Sequence, residues 1–385
     1  MNDLNALVYP SLLSRSGRDF GAEHPFKILR YRLTFELMEE LGLLRGENIR
    51  LVDCQCAAED LLATFHDTAY LHTLKEFSKD DTHRADFRFG LGDVENPVFE
   101  GCYDWARLVC GATMEAFRQV LDEGARLAFN MTGGMHHAHA ARASGFSYLN
   151  DAVIGIKSVL DKGLRVAYVD LDAHHGDGVQ KAFYDDDRVL TVSLHETGRD
   201  FFPHTGFTKE LGRGDGYGYS INVPFEPHSD DLIFEQAFRR IVMPLLGGFK
   251  PDLLVTQLGV DGLRTDPLTR LEFTTASTEL ATRLFLQTGI PWVALGGGGY
   301  DKFNVARSWS AAWGIMTGRQ VPDRLPSSFA RLAEEAGETS KGLRDQPHLA
   351  QPDDFARAEE ELKRTIRLIE QRAFPVHGLS SGEKR

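Results

Sequence analysis

Three stretches of this chain combine residue types and spacings that could do chemistry. The densest is Asp170-Leu-Asp-Ala-His-His-Gly-Asp177, which ends the strand-like run Arg165-Val-Ala-Tyr-Val. Residues two apart on a strand share a face, so Asp170 and Asp172 project together and His174 follows in phase. Carboxylates crowded at the end of a buried strand repel one another and resist desolvation unless a cation or paired imidazoles compensate them. A cation site is therefore the favoured reading. For any single acid the bland alternative is a helix cap, with Asp177 as N-cap before Gly178-Val-Gln-Lys-Ala-Phe. The second stretch is Gly133-Gly-Met-His-His137, where two adjacent histidines follow two glycines and neither has an apolar face to bury it. Taken alone, structural and chemical roles for this pair stand at even odds. The third is Gly296-Gly-Gly-Gly-Tyr300, a glycine run that lets the backbone approach a ligand and lacks the Gly-Lys-Ser/Thr ending of a nucleotide-binding loop.

These residues need a scaffold, and the hydrophobic pattern supplies one. Strand-like runs at residues 6–9, 50–54, 126–131, 166–170, 189–194, 219–223, 253–257 and 292–295 are short, continuous and apolar, as parallel strands covered on both faces are. Helical segments separate most of them, at about 25–41, 58–77, 101–121, 230–246 and 275–288, with a charged helix at 355–373. This is the rhythm of βα units, and it predicts an α/β fold: a single domain with an eight-stranded, mainly parallel sheet flanked by helices. Ligands of such sheets sit beyond the carboxyl ends of the strands, where all three stretches and Asp261 fall. Residues 79–97 read as a long surface loop. The domain is expected to span 1–375, with 376–385 as a flexible tail.

The chain has 385 residues, 42% hydrophobic and 26% charged, with a net charge of -13. That composition predicts a large core, and the acidic balance argues against a non-specific grip on nucleic acid or anionic membrane. No basic n-region with an apolar h-region opens the chain, and no stretch of about 18 apolar residues follows, so a cytoplasmic protein is expected. Cys54, Cys56, Cys102 and Cys110 are read as free thiols, because Cys-x-Cys is not zinc-ligand spacing.

Five segments in one order resemble the zinc-dependent histone deacetylase family, within the arginase/deacetylase superfamily, and its bacterial acetoin-utilization-type members in particular. They are Gly133-Gly-Met-His-His-Ala, Gly145-Phe-Ser-Tyr-Leu-Asn-Asp151, Tyr168-Val-Asp-Leu-Asp-Ala-His-His-Gly-Asp-Gly178, Gln257-Leu-Gly-Val-Asp261 and Leu295-Gly-Gly-Gly-Gly-Tyr300. The resemblance implies Zn2+ ligands Asp172, His174 and Asp261; position alone leaves His174 and His175 equivalent. Iron(II), Fe2+, also suits two carboxylates and an imidazole. The implied reaction is hydrolysis of an acetyl-lysine amide, with His137 as general base and then acid, His136 as its electrostatic partner, Asp170 behind His136, Asp177 behind His137, and Tyr300 donating to the carbonyl oxygen. Phe146 and Phe202 match the walls of the acyl-lysine tunnel, Leu268 its rim, and the Gly145 carbonyl lies near the substrate amide. Arg30 resembles the arginine of an internal channel. Monovalent cations, K+ or Na+, match Asp170, Asp172, His174, Ser193 and Leu194 at one site and Phe183, Asp186, Val189 and Tyr219 at another. His139 falls outside the matched positions and is read as a surface histidine. Glu95-Asn-Pro stands where many relatives carry an aspartate that grips the substrate backbone. The substrate implied is an acetylated protein; the alternatives are an acetylpolyamine or other small N-acyl amine, an arginase-like ureohydrolase, and a non-catalytic relative. The paired histidines and Tyr300 weigh against the last two.

Overall fold

The computed structural model describes residues 4–15, 20–82, 84–338 and 342–380. Eight strands form one sheet: β1 (Asn5–Val8), β2 (Ile49–Val52), β3 (Leu127–Asn130), β4 (Val166–Asp170), β5 (Val189–Glu196), β6 (Ser220–Phe225), β7 (Leu253–Gln257) and β8 (Trp292–Leu295). Their order is β2-β1-β3-β8-β7-β4-β5-β6, and every adjacent pair is parallel. The interior strands are buried along their whole length, which is why their sequences are continuous apolar runs with no alternation.

The order carries the functional consequence. Between β3 and β4 the chain skips two places in the sheet, and β7 and β8 later fill them. The carboxyl ends of β3, β8, β7 and β4 thus lie side by side, bringing residues 131–137, 296–300, 258–261 and 171–177 to one rim. A reversal of strand order is the usual place for a site in an open parallel sheet.

The helices follow the predicted pattern with instructive differences. The first begins at Leu29, four residues after Pro25, because residues 27–30 form a turn in which Arg30 donates its N–H to the Lys27 carbonyl. The segment predicted at 230–246 is Asp231–Ala237, a π turn over Phe238–Val242, and Met243–Phe249. Helix Lys302–Met316 had no counterpart in the sequence reading; it is buried over nearly its full length and packs on Leu29–Glu40 and Thr275–Thr288. The segment expected to be loose from residue 376 is packed further than that. His377 is buried, its Nε2 bonds the Gly218 carbonyl at 2.8 Å, and Leu379 donates its N–H to the Phe374 carbonyl. Residues 381–385 lie outside the described residues. No helix among the described residues is long and apolar enough to cross a membrane.

Candidate active site

The histidine pair sits in a loop whose backbone is held from below. Asp151, fully buried at the start of helix Asp151–Leu160, accepts the N–H groups of Gly134 and Met135 and the Thr113 hydroxyl. Asn150 caps that helix through Val153 and donates Nδ2 to the carbonyls of His136 and Ala138 at 3.2 and 2.9 Å. Asn150 is fixed in turn by its N–H, which donates to His66 Nε2 at 3.0 Å, while His66 Nδ1 bonds the Ala140 carbonyl.

On this support two dyads face each other. His136 Nδ1 lies 2.7 Å from Asp170 Oδ2, His137 Nδ1 lies 2.8 Å from Asp177 Oδ1, and the two Nε2 atoms meet at 3.0 Å. The environments push the two imidazoles apart. Burial opposes charge on both, but Asp170 and Asp172 overcome it at His136, raising it to about 9. At His137 burial and the neighbouring His136 charge prevail over Asp177, lowering it to about 4. The two environments thus favour opposite forms, the charged imidazole at His136 and the neutral one at His137.

Beside it, Asp172 Oδ1 and Asp261 Oδ2 converge on His174 Nδ1 at 3.1 and 2.9 Å. All three residues are buried, and one ligand atom from each lies within 4.8 Å of the others. The remaining carboxylate oxygens are already satisfied: Asp172 Oδ2 accepts Gln257 Nε2 and the Gly298 N–H, and Asp261 Oδ1 accepts the Ala173 N–H. Those bonds turn Asp172 Oδ1, which also accepts the His174 N–H, and Asp261 Oδ2 toward the His174 ring. Burial alone would push the His174 imidazole down, yet the two carboxylates raise it to about 10, so the cluster demands positive charge at its centre. Two carboxylates and one imidazole with buried, pre-aimed donors fit a small divalent cation. His175 is not part of the cluster; its ring nitrogens go to Thr205 and Gln180.

Tyr300 closes the other side. Its ring stands 6.2 Å from that of His174 and 5.6 Å from that of Phe146, and its N–H donates to Asp266 at 2.7 Å. Burial and the nearby Asp261 and Asp172 hold its hydroxyl well above the usual tyrosine range, so it stays a donor. Phe202 meets the His137 ring edge-on at 5.0 Å. Gly145, at φ 49°, packs so closely that a Cβ there would overlap the rings of His137 and Phe202. Leu268 is half-buried and anchored by its N–H on Asp266. Glu95 lies in a loop whose carbonyl accepts His24 Nε2, and the His24 ring packs on Phe146, which sets Glu95 beside the aromatic wall. Arg30 is buried, donates to the Gly299 carbonyl and to Tyr31, and stacks on Phe26.

Of the positions matched to monovalent cations, Asp170 and Ser193 are register partners on β4 and β5. Phe183, Asp186 and Val189 form the turn leading into β5, and the Tyr219 carbonyl accepts the Thr191 N–H.

The helix-cap alternative for Asp177 falls away: Gly176 holds that position, and the Asp177 carboxylate faces His137. One reading changes. His139 is not a free surface histidine, since its Nε2 lies 3.3 Å from Asp177 Oδ2. Other contributors carried no sequence signal of their own: Phe201 stacks on the His174 ring at 4.6 Å, and His66 and Asp266 act through the backbone. Gln257 lay within a recognised segment, but only its bond to Asp172 reveals its part.

Comparison with known proteins decides the family. The histone deacetylase domain matches residues 24–316. This chain belongs to the histone deacetylase family. Within it, the acetoin utilization protein AcuC of Bacillus subtilis is 38% identical over 339 residues, covering 82% of this chain and 87% of that protein. Histone deacetylase 8 of Xenopus tropicalis is 38% identical over 299 residues, 77% of this chain and 80% of that one. A crystal structure of a histone deacetylase homolog complexed with SAHA superposes with a TM-score of 0.84 at 30% identity, covering 94% of this chain and 99% of the other. A histone deacetylase homolog from Aquifex aeolicus gives 0.83 with the same coverage. The single parallel sheet is thus the arginase/deacetylase-like fold, and by class this family member is a deacetylase-type hydrolase.

Proposed function

We propose that this chain hydrolyses the side-chain amide of acetylated lysine in proteins, using a divalent cation, Zn2+ by default, held by Asp172, His174 and Asp261. The observation that carries the reading is the facing of two His-Asp dyads beside a buried three-ligand cluster, with the Tyr300 ring 6.2 Å from that of His174. A cation there supplies Lewis acidity, polarising the acyl carbonyl and acidifying a water. Every other part of the reaction falls to the chain itself. His137 Nε2, free of its proton at neutral pH, accepts one from the attacking water, and Asp177 stabilises the imidazolium that forms. His136, held by Asp170, keeps that proton from straying and fixes the ring plane. Tyr300 donates to the carbonyl oxygen as negative charge develops on it. His137 then returns the proton to the departing amine. Phe146 and Phe202 line a slot suited to the methylene stem of a lysine, Leu268 offers an apolar rim, and the Gly145 carbonyl accepts the substrate amide N–H. Glu95 takes the rim aspartate's place, and K+ or Na+ occupies the carbonyl-lined positions around Ser193 and Tyr219 as a structural ion.

Zinc-loaded protein should turn over an acetyl-lysine peptide. Tyr300→Phe should lower kcat by about two to three orders of magnitude, and chelation should abolish activity. Turnover of acetylated spermidine alone would transfer the assignment to small N-acyl amines, and equal rates for Tyr300→Phe and wild type would remove the oxyanion role.

A further inference from the structure

The two dyads differ in how their carboxylates are held. Asp170, in the buried dyad, has both oxygens engaged beyond His136: Oδ2 accepts the Tyr168 hydroxyl at 2.8 Å and Oδ1 accepts the Asp172 N–H at 3.1 Å. It cannot turn. Asp177 serves the more demanding position, behind the histidine that must gain and lose a proton, yet no strand neighbour holds it. Its Oδ1 is on His137, and its side chain borders an open cleft of about 1030 Å³ that His139, Gln180, Lys181 and Glu210 also line. The end torsion of an aspartate is broad and roughly two-fold, so a carboxylate held at one oxygen and wetted at the other swings readily.

His139 is placed to prevent this. Its Nε2 lies 3.3 Å from Asp177 Oδ2, and its backbone is fixed on both sides. His139 and Arg142 exchange N–H···O bonds across a tight turn, and Asn150 holds the preceding Ala138 carbonyl. Gly178 keeps the helix start pressed on this loop, because a Cβ there would meet the carbonyls of His136 and Ala138. The side chain is 23% exposed, while Nδ1 is buried without a hydrogen-bond partner. The tautomer with its proton on Nε2 serves the carboxylate and leaves a bare lone pair, not a stranded N–H, as the unpartnered atom.

We propose that His139 is a positioning residue for the reaction: it clamps the distal oxygen of Asp177 at the edge of the cleft, so that the proximal oxygen stays on His137 Nδ1. It does for Asp177 what Tyr168 does for Asp170. The inference rests on the deacylase reading for its kinetic consequence, but its structural content stands apart from that reading.

The test compares wild type, His139→Ala and His139→Gln as zinc-loaded full-length protein, with kcat and KM for an acetyl-lysine peptide and the downfield resonance of the His137 Nδ1 proton by NMR. Loss of an outer partner of this kind costs about tenfold or more in rate. His139→Ala should lose about tenfold in kcat at unchanged KM, with the His137 proton resonance broadened by faster exchange, and His139→Gln, which presents an N–H at similar reach, should recover most of both. Unchanged kcat and resonance in His139→Ala would overturn the proposal. So would a glutamine variant as impaired as the alanine one, or a loss confined to KM. A wild-type protein that binds zinc but turns over no acetyl-lysine would count against the deacylase reading, and the His137 resonance in the two variants would still decide whether His139 holds Asp177.

Discussion

Lowering the pH should loosen the loop that carries His136 and His137, and a residue outside the proposed site sets the range. His66 is 2% exposed, its Nδ1–H donates to the Ala140 carbonyl, and its Nε2 accepts the Asn150 N–H. Burial lowers its pKa from 6.5 to about 4, outweighing the backbone bonds that favour charge. A base depressed in the folded state takes its proton first in the unfolded chain. Its neutral form therefore costs no stability above pH 6.5, and stability falls as pH drops from 6.5 through about 4, where the folded state too becomes protonated. A difference of about 2.5 units at about 1.4 kcal/mol each gives a loss of about 3.5 kcal/mol once pH has fallen below both values. His66→Gln keeps a polar group but does not titrate. Unfolding free energies from urea titrations of both proteins at pH 7.5, 6.5, 5.5 and 4.5 should show wild type ahead at the top of the range and its lead shrinking by about 2.5 kcal/mol by pH 4.5. Other buried groups titrate in both proteins alike, so the difference isolates His66. A gap that stays constant with pH would refute the reasoning, since it would mean that the buried ring accepts a proton as readily as the unfolded one.

Two substitutions probe the site directly. Gly145→Ala places a Cβ into the rings of His137 and Phe202 on a residue at φ 49°, and displacements of about 1 Å at a reacting group commonly cost about 100-fold, so kcat should drop by about that factor and the urea midpoint should fall with it, because a Cβ strains the left-handed backbone; wild-type turnover would mean the wall yields. Asp172→Asn puts an amide where one oxygen already accepts Gln257 Nε2 and the Gly298 N–H, so the variant should lose its zinc on dialysis, read by elemental analysis, where wild type retains it; retention at wild-type level would remove Asp172 from the ligand set.

Much of the scaffold could be read from the chain because parallel strands covered on both faces leave an unmistakable mark, an unbroken apolar run ended by polar residues. Helix Lys302–Met316 escaped for the same physical reason turned around. Buried nearly all round, it presents no polar face and so no 3.6-residue period, and Ala, Ser and Gly dilute its hydrophobic signal. The chemical residues were legible where several share one short segment, as Asp170, Asp172 and His174 do. What could not be read is the matching of groups distant in sequence. His174 and His175 are equivalent as letters, and only the positions of Asp261 on one side and Thr205 and Gln180 on the other separate them. Asp177 shows the limit most sharply. An acid at the start of a helix suits capping as well as it suits a histidine, and nothing within ten residues says which use prevails. The choice is made by a loop 40 positions earlier, which sets His137 2.8 Å from one oxygen and His139 3.3 Å from the other. With one oxygen bonded to His137 and the other 3.3 Å from His139, the carboxylate is turned away from the helix, and the cap position falls to Gly176, which makes no side-chain cap bond.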